Sequence, residues 1–255
     1  MTVGELSVVV HRDAEVLAAA AAARLMVRIV DAQQARGRAS IVLTGGGVGI
    51  GTLKALNASP ARDAIDWDAL DIWWGDERYL AADDPERNDV QATEALLGHV
   101  PVNPSRVHRM PADAGGSPES AAEQYADELS KAAHSGADLP RFDVLMLGVG
   151  PEGHIASIFP ESPAAYDEGL VCAVRNCPKP PPTRISLTFR TITSADEVWL
   201  LAAGAGKAEA VGLALAGAGR VQIPAAGALG GVRTLWLVDD AAAVSVPPEL
   251  RLRRS

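Results

Sequence analysis

FDVLMLGVGPEGHIASIFPE, residues 142–161, opens on the continuous apolar run Val144 to Leu147 and breaks at once into Gly148, Gly150 and Gly153. An unbroken apolar run of this length predicts a strand buried on both faces, as in a parallel sheet. A strand feeding a glycine turn is where open α/β sheets place their chemistry. The turn delivers Glu152 and His154 two residues apart, a carboxylate and an imidazole suited to acid/base work. The small Ala156 and Ser157 that follow predict a short helix that approaches its neighbours closely. The three glycines also satisfy the dinucleotide pattern G-x-G-x-x-G, with Glu168 near the spacing of a ribose-binding acid. That reading fails twice. The pattern belongs on the first strand of its unit, whereas several α/β units precede it here, and Glu152 would put negative charge where a pyrophosphate should sit.

The preceding chain alternates in the same manner. Leu6 to Val10 predicts a strand, and Asp13 an N-cap for a long Ala-rich helix ending near Gly37. Ser40 to Thr44 predicts the next strand, running into Gly45-Gly46-Gly47 and a helix from Val48 to Asn57. Asp71 to Trp74 predicts a third, ending in a charged loop, Gly75-Asp76-Glu77-Arg78. Beyond it come a helix over 87–97, a short strand over 106–110 and a helix over 117–133. After the central stretch, Leu170 to Val174 predicts a strand and Pro178 to Pro182 a rigid loop wall. RISLTF, from Arg184, alternates as a half-buried strand does, and Glu197 to Ala202 predicts a buried one. Gly204 to Lys207 then leads into a helix reaching about Ala216, Thr234 to Val238 predicts the last core strand, and Asp239 starts a terminal helix. Strands alternating with helices throughout predict an α/β fold: a mainly parallel, doubly wound, Rossmann-like sheet with helices on both faces. No Pro/Ser-rich linker or charge block divides the chain, so residues 1–255 are expected to form one domain.

Composition narrows the function. A formal net charge of −9 without a basic run makes nucleic acid and anionic membrane surfaces poor partners, leaving any anionic ligand to a few local Arg and Lys residues. The N-terminus mixes Glu5, His11, Arg12 and Asp13 into short apolar runs, which is neither a secretory signal nor a membrane span. Cys172 and Cys177 make no disulfide framework, and no second Cys/His pair stands at zinc spacing. A cytoplasmic protein without a metal site is expected.

Four further positions invite a ligand. Strand, Gly45-Gly46 turn and helix in that order make a phosphate cradle, because free backbone N–H groups and the positive helix end point at the turn; a plain tight turn is the equal alternative. Arg78 follows a strand as apolar as Ile72-Trp73-Trp74, which aims its fork into a cleft, although three mixed charges in a row more often make a solvated loop. Asp76 and Glu77 are then expected to orient Arg78 and the neighbouring loops. Lys207 at the head of a helix opposes the dipole unless an anion neutralises it. Arg184, by itself, reads as an edge-strand charge, and His99, His108 and His134 as single surface or packing residues.

The order of residues in 148–160, G-x-G-x-[DE]-G-H-x-A-S-x-F-P, resembles the signature of the 6-phosphogluconolactonases, whose fold is shared with glucosamine-6-phosphate deaminase. A second block, WWGDERYLAADDPERND from Trp73 to Asp89, resembles that family's G-D-E-R stretch. The deaminase branch is expected to read D-E-Y and G-H-I-A-F-N, so Arg78 and Ser157-Ile158-Phe159 favour the lactonases. The resemblance implies hydrolysis of 6-phospho-D-glucono-1,5-lactone in the pentose phosphate pathway. In that scheme His154 is the general base, and Glu152, where the family has Asp, orients it or its water. Arg78 would face the developing oxyanion, while Gly45, Gly46, Arg184 and Lys207 hold the phosphate. A lactone is an activated ester, so neither cofactor nor covalent nucleophile is implied, and a monomer or weak homo-oligomer is expected. Ser157 makes a poor nucleophile, since G-H-x-A-S is not G-x-S-x-G. Departures stand at Gly47, Val48 and Gly49, where the family carries hydroxyls and a proline, and at Arg87 in place of Ser. The alternatives are a glucosamine-6-phosphate deaminase/isomerase and a non-catalytic sugar-phosphate sensor, the latter requiring a DNA-binding extension.

Overall fold

The structure, a computed structural model, describes residues 4–134 and 136–250. The chain begins β1 (Glu5–His11), α1 (Ala14–Arg36), β2 (Ala39–Leu43), α2 (Gly46–Ala58), β3 (Leu70–Trp74), β4 (Asp76–Arg78), α3 (Asn88–Ala95) and α4 (Pro118–Ala132). It continues β5 (Val144–Gly148), β6 (Val171–Val174), β7 (Arg184–Leu187), α5 (Phe189–Ile192), β8 (Glu197–Ala202), α6 (Ala208–Leu215) and β9 (Arg233–Asp239).

Six strands form a parallel sheet flanked by helices, in the order β1-β9-β8-β5-β2-β3. β2 and β8 are buried at every residue, which is why strands of this sheet read as apolar runs rather than alternations. α1 presents Leu17, Ala21, Leu25 and Ile29 at four-residue spacing to the core. Asp13 caps it by accepting from the Val16 amide, and Gly37, at φ 74°, ends it in the left-handed region. Strand order reverses between β2 and β5, the chain adding β3 on one side and then β8 and β9 on the other. Doubly wound sheets take their ligands in the crevice at such a reversal, beyond the carboxyl ends of the strands.

Several expectations need correction. Asp76–Arg78 is a strand instead of a loop: β4 pairs antiparallel with β7, and β7 with β6, in a second, three-stranded sheet. β7 lies in the middle of that sheet, so all four of its residues are buried where RISLTF predicts half-burial. No helix follows the glycine turn of 148–153; isolated bridges join Val149 to Ile155 and Ile155 to Ile158, and Gly153 and Ala156 adopt φ of 86° and 47°. Left-handed residues at both points keep a right-handed helix from propagating. The strand expected over 106–110 shrinks to one bridge, Ile72 to Val107, between a turn opened by Pro104 and the break at Pro111. The terminal helix expected from Asp239 is instead two short 3-10 turns, Ala242–Ser245 and Pro248–Leu250, interrupted at Pro247.

Candidate active site

The turns after β2 and β5 flank the strand-order reversal, and between them lies a cavity of about 280 Å³. Gly45, Gly46, Arg78, His154, Arg184 and Lys207 all line it, brought from five separate stretches of chain. Glu152, the remaining candidate, reaches the wall through His154, its Oε1 3.1 Å from Nδ1. That contact is one of charge proximity, since Nδ1 is buried and makes no directed hydrogen bond.

The turn that carries His154 is closed by its own backbone. The Gly150 amide donates to the His154 carbonyl at 2.8 Å, and the Gly153 amide to the Gly150 carbonyl at 3.0 Å. A Cβ on Gly150 would stand 1.9 Å from His154 Nδ1, so the imidazole occupies space that only glycine leaves open. Phe159 stacks on the ring with centroids 4.4 Å apart. Burial lowers the His154 pKa below the ordinary 6.5 and Lys179 pushes the same way, while Glu152 opposes both. Burial in turn pushes the Glu152 carboxyl up, but the Lys179 ammonium, which donates to Oε2 at 2.9 Å, and the charge of His154 bring it out below the usual value.

Lys179 is a site residue that sequence reasoning missed. It stands in the proline segment read as a loop wall, and only the fold carries it to Glu152, 27 residues earlier. Arg184 secures that segment, donating to the carbonyls of Lys179, Pro180 and Pro181 at 3.2, 3.0 and 3.1 Å, with Nη1 3.9 Å from Asp76. Far from being an edge-strand charge, Arg184 is 6% exposed and has most of its donors engaged. Lys207, at the residue before α6, donates from Nζ to the Val149 carbonyl at 2.5 Å. Burial lowers its pKa, Lys179 adds to that, and Glu152 works against it.

Arg78 donates to the Glu86 carbonyl, and its Nε is buried without a partner. Asp76 and Glu77 orient the Arg78 backbone and the neighbouring segments, as expected, and not the guanidinium itself. Glu77, 1% exposed, accepts from the amides of Arg78, Asn88 and Asp89 at 2.8, 2.7 and 2.9 Å and lies 3.8 Å from Arg87. Asp76 accepts from Ser157 Oγ at 2.7 Å, so Ser157 is a strut between β4 and the turn that follows β5 rather than an exposed hydroxyl. Asn88 also reaches the cavity; a Cβ on Gly45 would fall 2.0 Å from its Oδ1. The first amides of α2, which follow Gly45, have no side-chain cap and are open to an anion. His108, expected to stand alone, has two acidic partners, Glu128 at 2.7 Å and Asp71 at 3.3 Å, away from the cavity. Both cysteines are free and buried. Among the described residues no group of three or more His, Cys, Asp or Glu side chains is placed to hold a metal, and no helix is long and apolar enough to cross a membrane.

Comparison with known proteins gives a consistent result. The family model described as glucosamine-6-phosphate isomerases/6-phosphogluconolactonase matches residues 12–236. A protein of Streptomyces coelicolor named 6-phosphogluconolactonase is 59% identical over 248 residues, covering 95% of this chain and 95% of its own. One of Mycobacterium tuberculosis with the same name is 49% identical, over 94% of this chain and 98% of its own. Among solved structures, the 6-phosphogluconolactonase from Leishmania guyanensis superposes with a TM-score of 0.80 at 26% identity, covering 94% of this chain and 98% of that one.

Proposed function

This chain belongs to the glucosamine-6-phosphate isomerase/6-phosphogluconolactonase family, and from that membership we propose that it hydrolyses 6-phospho-D-glucono-1,5-lactone to 6-phospho-D-gluconate. The reaction is the lactone-opening step of the oxidative pentose phosphate pathway, in a cytoplasmic setting suited to two free thiols. The observation that carries the reading is the meeting of His154 with Arg78, Arg184 and Lys207 around one cavity at the strand-order reversal.

In this mechanism Glu152 faces Nδ1 and leaves Nε2 as the basic nitrogen of His154. Nε2 takes a proton from a water as its oxygen bonds to the lactone carbonyl carbon. The tetrahedral oxyanion so formed is met by Arg78 and by turn amides. Collapse breaks the bond from that carbon to the ring oxygen, which receives the proton held on His154. Lys179 fixes Glu152 from the far side, so carboxylate and imidazole keep their separation through the cycle. Lys207, the remaining arm of Arg184 and the uncapped amides after Gly45 bind the phosphate, whose charge also relieves the cation at the head of α6.

A coupled assay with purified protein and a chelator present tests the proposal. Lactone should disappear well above its spontaneous rate, and no ammonia should leave glucosamine 6-phosphate. Ammonia release without faster lactone opening would assign the chain to the deaminase branch instead.

A further inference from the structure

The amino ends of β2, β3 and β5 frame a second cavity, of about 520 Å³, at the opposite end of the sheet from the first. Five residues of β2 separate the two ends, about 16 Å at the rise of a parallel strand. Ligand cavities commonly measure about 300–1,000 Å³. Its charge runs against that of the molecule: the chain carries −9, yet the wall holds Arg36, Arg38, Arg106, Lys131 and Arg141. Three of these are already paired, Arg36 with Asp143, Arg106 with Asp71 at 3.0 Å and Arg141 with Asp196 at 2.6 Å. Among the described residues Arg38 and Lys131 pair with no carboxylate; Arg38 instead faces the His134 ring, its Nη2 3.2 Å from Nδ1.

A separate observation points to the same place. Ser40 and Trp73, 8% and 1% exposed, both contribute to the wall, and neither Ser40 Oγ nor Trp73 Nε1 has a hydrogen-bond partner. Unpaired buried polar atoms are uncommon in folded proteins and call for an explanation. Trp73 cannot easily turn to find a partner, because its ring is stacked on His108 at 3.7 Å and 6°. An indole nitrogen only donates, so what completes it is an acceptor. The local carboxylates are committed elsewhere: Asp143 takes the Ser40 amide at 2.9 Å as well as Arg36, and Asp71 takes Arg106.

We infer that this amino-end cavity binds a small phosphate monoester, at a site distinct from the one proposed for the lactone. Two unpaired cations match the charge of about −1.5 to −2 that such a group carries near neutral pH. The guanidinium of Arg38 supplies the forked donor that phosphate favours, Lys131 a point charge, and Ser40 and Trp73 neutral donors.

Glycerol 3-phosphate, titrated calorimetrically into the full chain at low ionic strength, tests this. Wild type and Lys207→Ala should both bind it, the latter chiefly through the amino-end cavity because the first site has lost its ammonium. In a Lys207→Ala background, Arg38→Ala with Lys131→Ala should weaken binding at least about tenfold, the worth of one charge-assisted hydrogen bond. Arg38→Ala/Lys131→Ala by itself, altering two exposed side chains, should leave lactone turnover unchanged. Ser40→Ala gives a second, buried probe and should weaken binding in the same direction. The inference is overturned if wild type takes up no ligand, if Lys207→Ala alone abolishes uptake, or if the double substitution leaves affinity as it was.

Discussion

His154 sits where burial disfavours its charged form, and two neighbours of opposite sign adjust that bias. Because its pKa is lowered, the imidazole stays neutral, and therefore basic, in solutions more acidic than an ordinary histidine tolerates. The acid limb of kcat/KM should accordingly have its midpoint below 6.5. Each neighbour moves that limb in a defined direction. Lys179→Met removes a repelling cation, so the limb should rise; Glu152→Gln removes the charge that favours imidazolium, so it should fall further. A pH–rate profile on the three proteins checks both signs, and limbs that coincide would separate His154 from the base. The residues of the two signature blocks were legible because each lies within a few positions of a buried strand and a glycine. Lys179 was not, since its partner Glu152 lies across a segment whose path no local pattern encodes.

At the scale of elements, the second sheet was the part the sequence concealed. Asp76-Glu77-Arg78 has the composition of a solvated loop, and it is a buried strand only because β7 pairs with it and α3 closes over it. Glu77 makes this possible by accepting the first amides of α3, so the carboxylate acts as a cap delivered from another element. Glu77→Ala would leave those amides unmet and Arg87, itself 1% exposed, without one of its two acidic neighbours. Loss of one partner of a buried ion pair costs about 3–5 kcal/mol. Urea unfolding should show a loss of that order, with Glu77→Gln falling between the two. A change below about 0.5 kcal/mol, ordinary for surface positions, would contradict the burial argument. The long elements were readable for the converse reason: α1 carries its cap, its four-residue stripe and its terminal glycine in its own sequence. The helix expected after the glycine turn failed because left-handed backbone at Gly153 and Ala156 serves the placement of His154.

For the whole molecule, alternation of strand and helix announced the parallel sheet, and the reversal of its strand order explains why distant loops meet. The apolar core is shared by both sheets: Leu147 and Trp199 from the parallel one belong to the same cluster as Val171, Ile185 and Leu187 from the antiparallel one. We therefore propose that residues 1–255 unfold as one domain, and calorimetry should record a single cooperative transition; two resolved transitions would mean that the sheets are independent. The central claim concerns chemistry, and one comparison reaches it most directly: the rate of enzymatic lactone opening by wild type and by His154→Ala at neutral pH, with melting temperatures measured alongside. A general base contributes about 10²–10⁴-fold, so kcat should fall by at least about 100-fold while the melting temperature holds. Turnover near that of wild type in a folded His154→Ala protein would contradict the account.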